Sequence, residues 1–321
     1  MKMKKLVSLV LIAALVMALA ACGASGSARM TMGTGGTAGT YYAFGGVLGQ
    51  YMKYHANVDV TVVSTDVSKA NIQGIAAGDY QLGTVKSDVM AYAWAGTRSF
   101  EADGAVNSFR VIAGLYAEAV QLVTMDPSIK SVADLAGKRV SIGAPGSGVY
   151  FNAIDVLSAA GLTENDIQAQ YQSFADSADA LKDGKIDAAF IVAGAPTAAI
   201  TELCTTNSAY LVPIDGEIAD KLMAASPFYT LYTIPAGTYN GQTEDVVTVT
   251  VKATLIVSAD ADEETVYNLT KAIFDNAAAI TAENGKGAEL SIENATSGMT
   301  APFHPGAAKY FAEQGVTVPT E

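Results

Sequence analysis

"MTMGTGGTAGTYY" (residues 30–42) decides the fold: a short apolar run, then four glycines in seven positions, then the start of a helical pattern. Glycine has no Cβ, so such a loop can wrap closely around a guest. A strand–loop–helix passage also brings bare backbone N–H groups and a helix N-terminus to one point, which favours an anion. Gly33-Thr34-Gly35-Gly36-Thr37-Ala38 satisfies G-x-G-x-x-[GA], and Asp66 follows the next expected strand, as in a dinucleotide site. A second loop, Ala144-Pro145-Gly146-Ser147-Gly148, sits in the same context further along the chain. Two such loops facing each other across a hinge would hold one small carboxylate between them. Thr34, Thr37, Thr40, Ser87 and Ser147 add hydroxyl donors without charge.

Working outward, strands are expected at 29–33, 58–64 and 80–85, each followed by a helical pattern. Strands alternating with helices at this spacing mean a parallel sheet. "FRVIAGLYAEAVQLVTM" (109–125) is too long for one ordinary strand and reads as a strand leaving the first lobe, with the crossover near Tyr116 to Val120. A second strand–helix series runs from residue 131 to 214, and the strand-rich stretch 228–259 returns the chain to the first lobe. One helix is expected over 262–283 and another in the tail 302–316. Two crossings between two α/β lobes describe a hinged clam. The expected units are a signal at 1–21, a tether at 22–28, lobe I at 29–117 plus 225–321, and lobe II at 118–224.

The start of the chain places it. Lys2, Lys4 and Lys5 precede an apolar run, Leu6 to Leu19, and small residues lead into Cys22. This is the layout of a secretory signal and resembles the bacterial lipoprotein type, in which the cysteine is lipidated. Such a protein is extracytoplasmic and held to the cell membrane by its lipid. Nicotinamide cofactors are not generally available there, so no cofactor is expected. Removing residues 1–21 takes away three lysines and no acids, moving the net charge from −13 to −16. That charge argues against nucleic acid or anionic lipid as partner. With Cys204 the only other cysteine, and His55 and His304 the only histidines, zinc spacing is absent. No Walker sequence and no G-x-S-x-G elbow occurs, so no catalytic role is assigned.

Candidate ligand contacts follow from position. Tyr41 and Tyr42 are consecutive on a helix, so they cannot both face the sheet, and one looks into the cleft. Tyr92, Trp94, Tyr116 and Tyr150 flank the loops as core or as cleft wall. Lys86 ends a strand, where α/β sheets bind ligands, and is either a counter-ion or a solvated lysine. Ser87-Asp88 reads as the cap of the next helix. Glu118, in the apolar crossover, meets a ligand ammonium or solvent.

The glycine loop with "TYY", "KSD", "LYAEAV", "SVADLAGKRVSIGAPGSGV", "FADSADALKDGKIDAAFIVAGAP", "FYTLYTIPAGTY" and "HPGAAKYF" occur in the order found in TAXI proteins, which this chain resembles throughout. Those are the solute-binding components of a class of TRAP transporters. The resemblance implies an α/β, two-lobed periplasmic-binding-protein type II fold with an inter-lobe cleft. It also implies a fused TRAP permease as membrane partner and ligands such as glutamate, 2-oxoglutarate or related dicarboxylates. The ligand-binding set is then Gly35, Gly36, Thr37, Tyr41, Tyr42, Lys86, Ser87, Asp88, Tyr116, Glu118, Pro145, Gly146, Ser147, Gly148, Tyr150 and Gly194. Two departures bear on the ligand. The family often carries Gln where this chain has Lys86, and the added charge favours a further carboxylate. It often has prolines where this chain has Ala117 and Ala119. The alternatives are a receptor of an ABC importer, a secreted α/β enzyme acting on a small acid, and an adhesive lipoprotein.

Overall fold

The computed structural model describes residues 27–144 and 147–321. The signal, the lipidation site Cys22, most of the tether, and the loop residues Pro145 and Gly146 lie outside the described residues.

The first lobe begins as a parallel sheet. Strand β1 (Ala28–Gly33) pairs with β2 (Val58–Val63) on one side and β3 (Leu82–Lys86) on the other. Helices α1 (Thr40–Ala56), α2 (Ser68–Ala77) and α3 (Ser87–Ala95) follow these strands in turn. Helix α2 ends on Gly78 at φ 84°, a left-handed position that glycine takes at no steric cost. The expected cap of α3 shifts by one residue. Lys86 holds the N-cap position without a side-chain cap bond, while Ser87 Oγ accepts instead from Lys252 N at 3.2 Å.

Strand β4 (Phe109–Thr124) then runs unbroken from one lobe to the other. The second lobe adds β5 (Arg139–Ser141), α4 (Gly148–Ala159), β6 (Gln168–Gln170), α5 (Phe174–Lys182), β7 (Ala188–Ala193), α6 (Ala198–Thr206), β8 (Tyr210–Val212) and α7 (Gly216–Ala225). Its central strands are buried on both faces. In β7, Phe190 and Val192 pack into one core with Val120, Val140 and Val156, while Ile191 packs into another with Val123, Leu181 and Leu203. This period-two division is what a strand covered on both sides requires.

Strands β9 (Thr230–Ile234) and β10 (Val246–Ser258) bring the chain back. All ten strands form one sheet, in the order β2-β1-β3-β10-β4-β7-β5-β6, with β8 on β4 and β9 on β10. Among the described strands only β4 and β10 belong to both lobes, and they lie antiparallel beside each other. Their register slips on the first-lobe side of the passage. Lys252 faces Ala117 but Thr254 faces Gly114, which leaves one extra residue on β4, a bulge that bends and twists the pair locally.

The packing moves the expected return of the chain. Tyr229, Val249 and Val251 belong to the core of Val120 and Val192, and Ile234 and Tyr239 to that of Val123 and Ile191. The segment 229–251 thus packs with the second lobe's cores, and the chain joins the first lobe's core from about Lys252 onward, where re-entry was expected at residue 225.

Helix α8 (Glu263–Phe274) and α9 (Ala277–Glu283) replace the single helix expected over 262–283. Between them Asn276 Nδ2 bonds the Ala272 carbonyl at 2.9 Å and Asp275 Oδ1 accepts from Tyr310. Such side chains offer the backbone an alternative to the helical ladder. Short helix α10 (Ile292–Thr296) and α11 (Pro305–Glu313) complete the lobe. Helix α11 starts with Pro305 at N1, where its missing N–H costs nothing.

Candidate functional site

The glycine loop after β1 is held by one buried side chain. Asn71, on α2, donates through Nδ2 to the carbonyls of Thr34 (2.7 Å) and Thr84 (2.8 Å), and its Oδ1 accepts from Thr65 Oγ1 (2.7 Å). It thus joins the ends of all three parallel strands of the lobe. The same clamp explains Gly33, since a Cβ there would lie 2.5 Å from Asn71 Oδ1 and 2.9 Å from the Tyr80 ring. Val67, at the start of α2, sits at φ 72°, a strained backbone for a β-branched residue.

A cavity of about 560 Å³ opens between the lobes. Its first-lobe wall is Gly35 to Tyr41, Ser64 to Val67, Ala70 and Tyr80, and Glu118 reaches it from β4. Its second-lobe wall is Gly143, Ala144, Ser147, Val149, Gln172 to Ala175, Val192 and Ala193. Four helices, α1, α2, α4 and α5, begin at this wall. Helix α1 has Gly39 and α2 has Val67 at the N-cap, with no side-chain cap and no acid in the first turn. Helices α4 and α5 are capped by Ser147 and Ser173. Each N-terminus carries a partial positive charge worth about 0.3–1 kcal/mol to an adjacent anion.

The fixed charges of the wall have the opposite sign. Asp66 and Glu118 line the cavity, and no Lys, Arg or His does among the described residues. Glu118 is 2 % exposed, and its Oε1 has no hydrogen-bond partner among the described residues. Burial pushes its carboxyl up to about 7, against the pull of Lys86 and then Lys286. The Tyr41 hydroxyl sits beside it without hydrogen-bonding geometry, and the Gln172 Oε1 is another buried acceptor without a partner.

Of the expected site residues, Gly35, Gly36, Thr37, Tyr41, Glu118 and Ser147 meet at the cavity. Pro145 and Gly146 lie outside the described residues, and the remaining ones do not line it. Tyr41 is buried while Tyr42 is 36 % exposed, so the pair divides between cleft and solvent. Lys86 is neither a cleft counter-ion nor a solvated lysine. It is buried beneath the wall, and burial lowers its pKa against the opposing pull of Glu118 and Asp88. Asp88 is buried too, raised by burial and held down by Lys86, and its Oδ2 accepts from Asn152 Nδ2 at 2.8 Å. Tyr116 is core, edge-on to Phe44 at 5.1 Å. Tyr150 turns away to donate to Glu164 at 2.9 Å. Gly194 offers its carbonyl to Thr40 Oγ1 across the lobes at 2.8 Å. Gly148 is a packing position, where a Cβ would lie 2.7 Å from Val89 of the first lobe.

Sequence reasoning missed Ser64, Thr65, Tyr80, Gln172, Ser173 and Phe174, and weighed Asp66 only as the acid of a dinucleotide pattern. The available signal was the rule that ligands sit beyond the carboxyl ends of parallel strands. Residues 64–67 follow β2 and 172–175 follow β6, just as the two glycine loops follow β1 and β5.

Two α/β lobes on a shared pair of crossing strands, with a cleft walled by both, define the two-lobed periplasmic-binding-protein fold. The chain belongs to the NMT1-like family, whose profile matches residues 32–315. Among solved structures it is similar to the alkanesulfonate-binding protein SsuA from Xanthomonas axonopodis pv. citri bound to MOPS, at 18 % identity over 90 % of this chain and 85 % of that one, TM-score 0.52. A protein from Bordetella bronchiseptica RB50 is also 18 % identical, over 89 % of each chain, TM-score 0.53. PhnD1 from Prochlorococcus marinus (MIT 9301) in complex with methylphosphonate is 13 % identical over 77 % of this chain and 84 % of that one, TM-score 0.51. At these identities the likeness is one of fold.

Proposed function

We propose that this protein is an extracytoplasmic receptor that captures a small organic anion between its lobes and hands it to a membrane importer. The observation that carries the reading is the convergence of four helix N-termini on one inter-lobe cavity. Backbone N–H groups at Gly35 to Thr37, with Ser147 and Ser173 from the other lobe, would hold the anionic group. The unpartnered acceptors of Glu118 and Gln172 suit a donor on the same ligand, which glutamate supplies and a plain dicarboxylate does not. Similar proteins bound to MOPS and to methylphosphonate support an anion in a cleft of this fold. The reading is that of a binder, and no catalytic role is assigned to the residues of its wall.

For the partner, the sulfonate- and phosphonate-binding neighbours favour an ABC importer, and the ordered TAXI motifs favour a fused TRAP permease. A gene for an ATPase beside this one would decide for the first, and one for a large multi-spanning permease for the second. Lipidation of Cys22 would keep the receptor at the membrane, and no described helix is long and apolar enough to cross it. Native mass spectrometry of the purified protein is expected to show a co-purified small acid, released on denaturation and restoring the thermal shift when added back. A protein that no carboxylate, sulfonate or phosphonate stabilises would overturn the reading.

A further inference from the structure

Helix α4 of the second lobe turns one face to the first lobe: Gly148, Phe151, Asn152 and Asp155, spaced i, i+3, i+4 and i+7. At its far end Asp155 takes a bidentate pair from Arg98 of the first lobe, Nη1–Oδ2 at 3.1 Å and Nη2–Oδ1 at 2.7 Å. The guanidinium lies over two rings, Tyr92 of the first lobe (5.1 Å) and Phe151 of the second (5.0 Å). Tyr229 donates to Asp155 Oδ2 at 3.0 Å and Asn152 donates to Asp88, so the second-lobe partners are themselves fixed. Arg98 reaches this place on a left-handed backbone, φ 47°, which a non-glycine residue adopts only when its surroundings impose it. None of these residues lines the cavity.

We propose that Arg98 and Asp155 form a closing latch that sets the affinity of the cleft for its ligand without touching it. The inference rests on the reading of the cleft as a hinged receptor. A contact that exists only with the lobes together stabilises the closed form. A ligand that needs the closed form then binds more tightly by the same factor. A planar guanidinium held bidentate and lying against two rings is geometrically specific, so lysine cannot replace it.

The test is a double-mutant cycle on Arg98→Ala and Asp155→Asn, read by small-angle scattering and by calorimetric titration with L-glutamate, 2-oxoglutarate, methanesulfonate and methylphosphonate. Each single variant is expected to enlarge the radius of gyration. Each should raise Kd for whichever probe binds by about 5- to 50-fold, with the increase in the off-rate, and the double variant should lose no more than either single one. Arg98→Lys should not restore the affinity. Unchanged radius and Kd in the singles, or losses that simply add, would refute the latch. If Arg98→Ala does not fold, the near-isosteric Asp155→Asn carries the same reading. Failure of all four probes to bind the unaltered protein counts against the receptor reading, while the scattering still decides on the latch.

Discussion

Glu118→Gln tests the electrostatics of the cleft floor in one substitution. The Glu118 carboxyl is raised from 4.5 to about 7, chiefly by burial. In the unfolded chain it ionises near 4.5, so between those two values the folded protein holds a proton that the unfolded chain has released. Stability contributed by this group is then fully present below pH 4.5 and falls as pH rises toward 7, at about 1.4 kcal/mol per pH unit. The loss totals about 3 kcal/mol and stops near the folded value. For a chain of this size that is a drop in Tm of roughly 5 °C. Glutamine has the same shape and no proton to lose, so this part of the pH dependence should vanish. The assay is thermal unfolding of both proteins from pH 4.5 to 8, taking the difference curve so that other titrating groups cancel. Parallel profiles would refute the reasoning, as would a native protein that gains stability relative to the variant over this range.

Lys86→Met should leave Glu118 and Asp88 without their buried cation. We expect a loss of about 3–5 kcal/mol in denaturant unfolding and a Glu118 carboxyl titrating higher still by carbon NMR. Any affinity lost should be shared alike by monocarboxylates and dicarboxylates, because Lys86 does not line the cavity; selective loss of dicarboxylate binding would contradict its placement. Gly33→Ala should cost roughly 2–4 kcal/mol, since the new methyl meets Asn71 and Tyr80 in a fixed clamp; a Tm within one degree of the native protein would contradict the geometry. Raising the salt from 20 to 200 mM should speed association of an anionic ligand by about two- to threefold and leave its off-rate nearly unchanged. The strongly negative net charge repels the ligand at long range, whereas the helix N-termini act at contact; stopped-flow fluorescence would show whether association slows instead.

The strand–helix alternation was legible because each strand is a short run bounded by glycine or polar residues, and because β4 is too long to belong to one lobe. The glycine loop after β1 was legible as a close-approach site for the same reason. Residues 225–251 were misplaced because β10 serves both lobes: nothing local in "VVTVTVKATLIVS" marks Lys252 as the point of passage. That point is set by pairing with β4 and by its bulge, which are tertiary facts. Lys86 was misread for a related reason. A lysine at a strand end has water as its default surroundings, and only the arrival of α4 over Gly148 removes that water. The walls at 64–67 and 172–175 carry no motif, yet they occupy the same topological place as the glycine loops.

The passage between lobes concentrates features that a plain two-stranded crossing would lack. The Ala117 N–H donates to Glu289 Oε2 at 2.6 Å, and Glu289 Oε1 pairs with Lys286 at 2.7 Å. Lys286 in turn lies over the Tyr116 ring at 5.8 Å. One residue further along β4, Glu118 faces the cavity. The turn at 285–289 therefore grips β4 on the first-lobe side immediately before the residue that lines the cavity. Beyond it, Thr248 Oγ1 donates to the Val120 carbonyl at 2.6 Å on the second-lobe side. The strand is anchored on both sides of Glu118, and the register slip lies within the first-lobe anchor. A rotation of the lobes about these strands would be taken up between Ala117 and Val120, and so would move the Glu118 carboxylate relative to Lys86 and Lys286, both first-lobe residues. Under the receptor reading, closure and the charge state of Glu118 would be parts of one equilibrium: a ligand donor that paired with Glu118 would stabilise its ionised form and, through the same strand, the closed arrangement of the lobes.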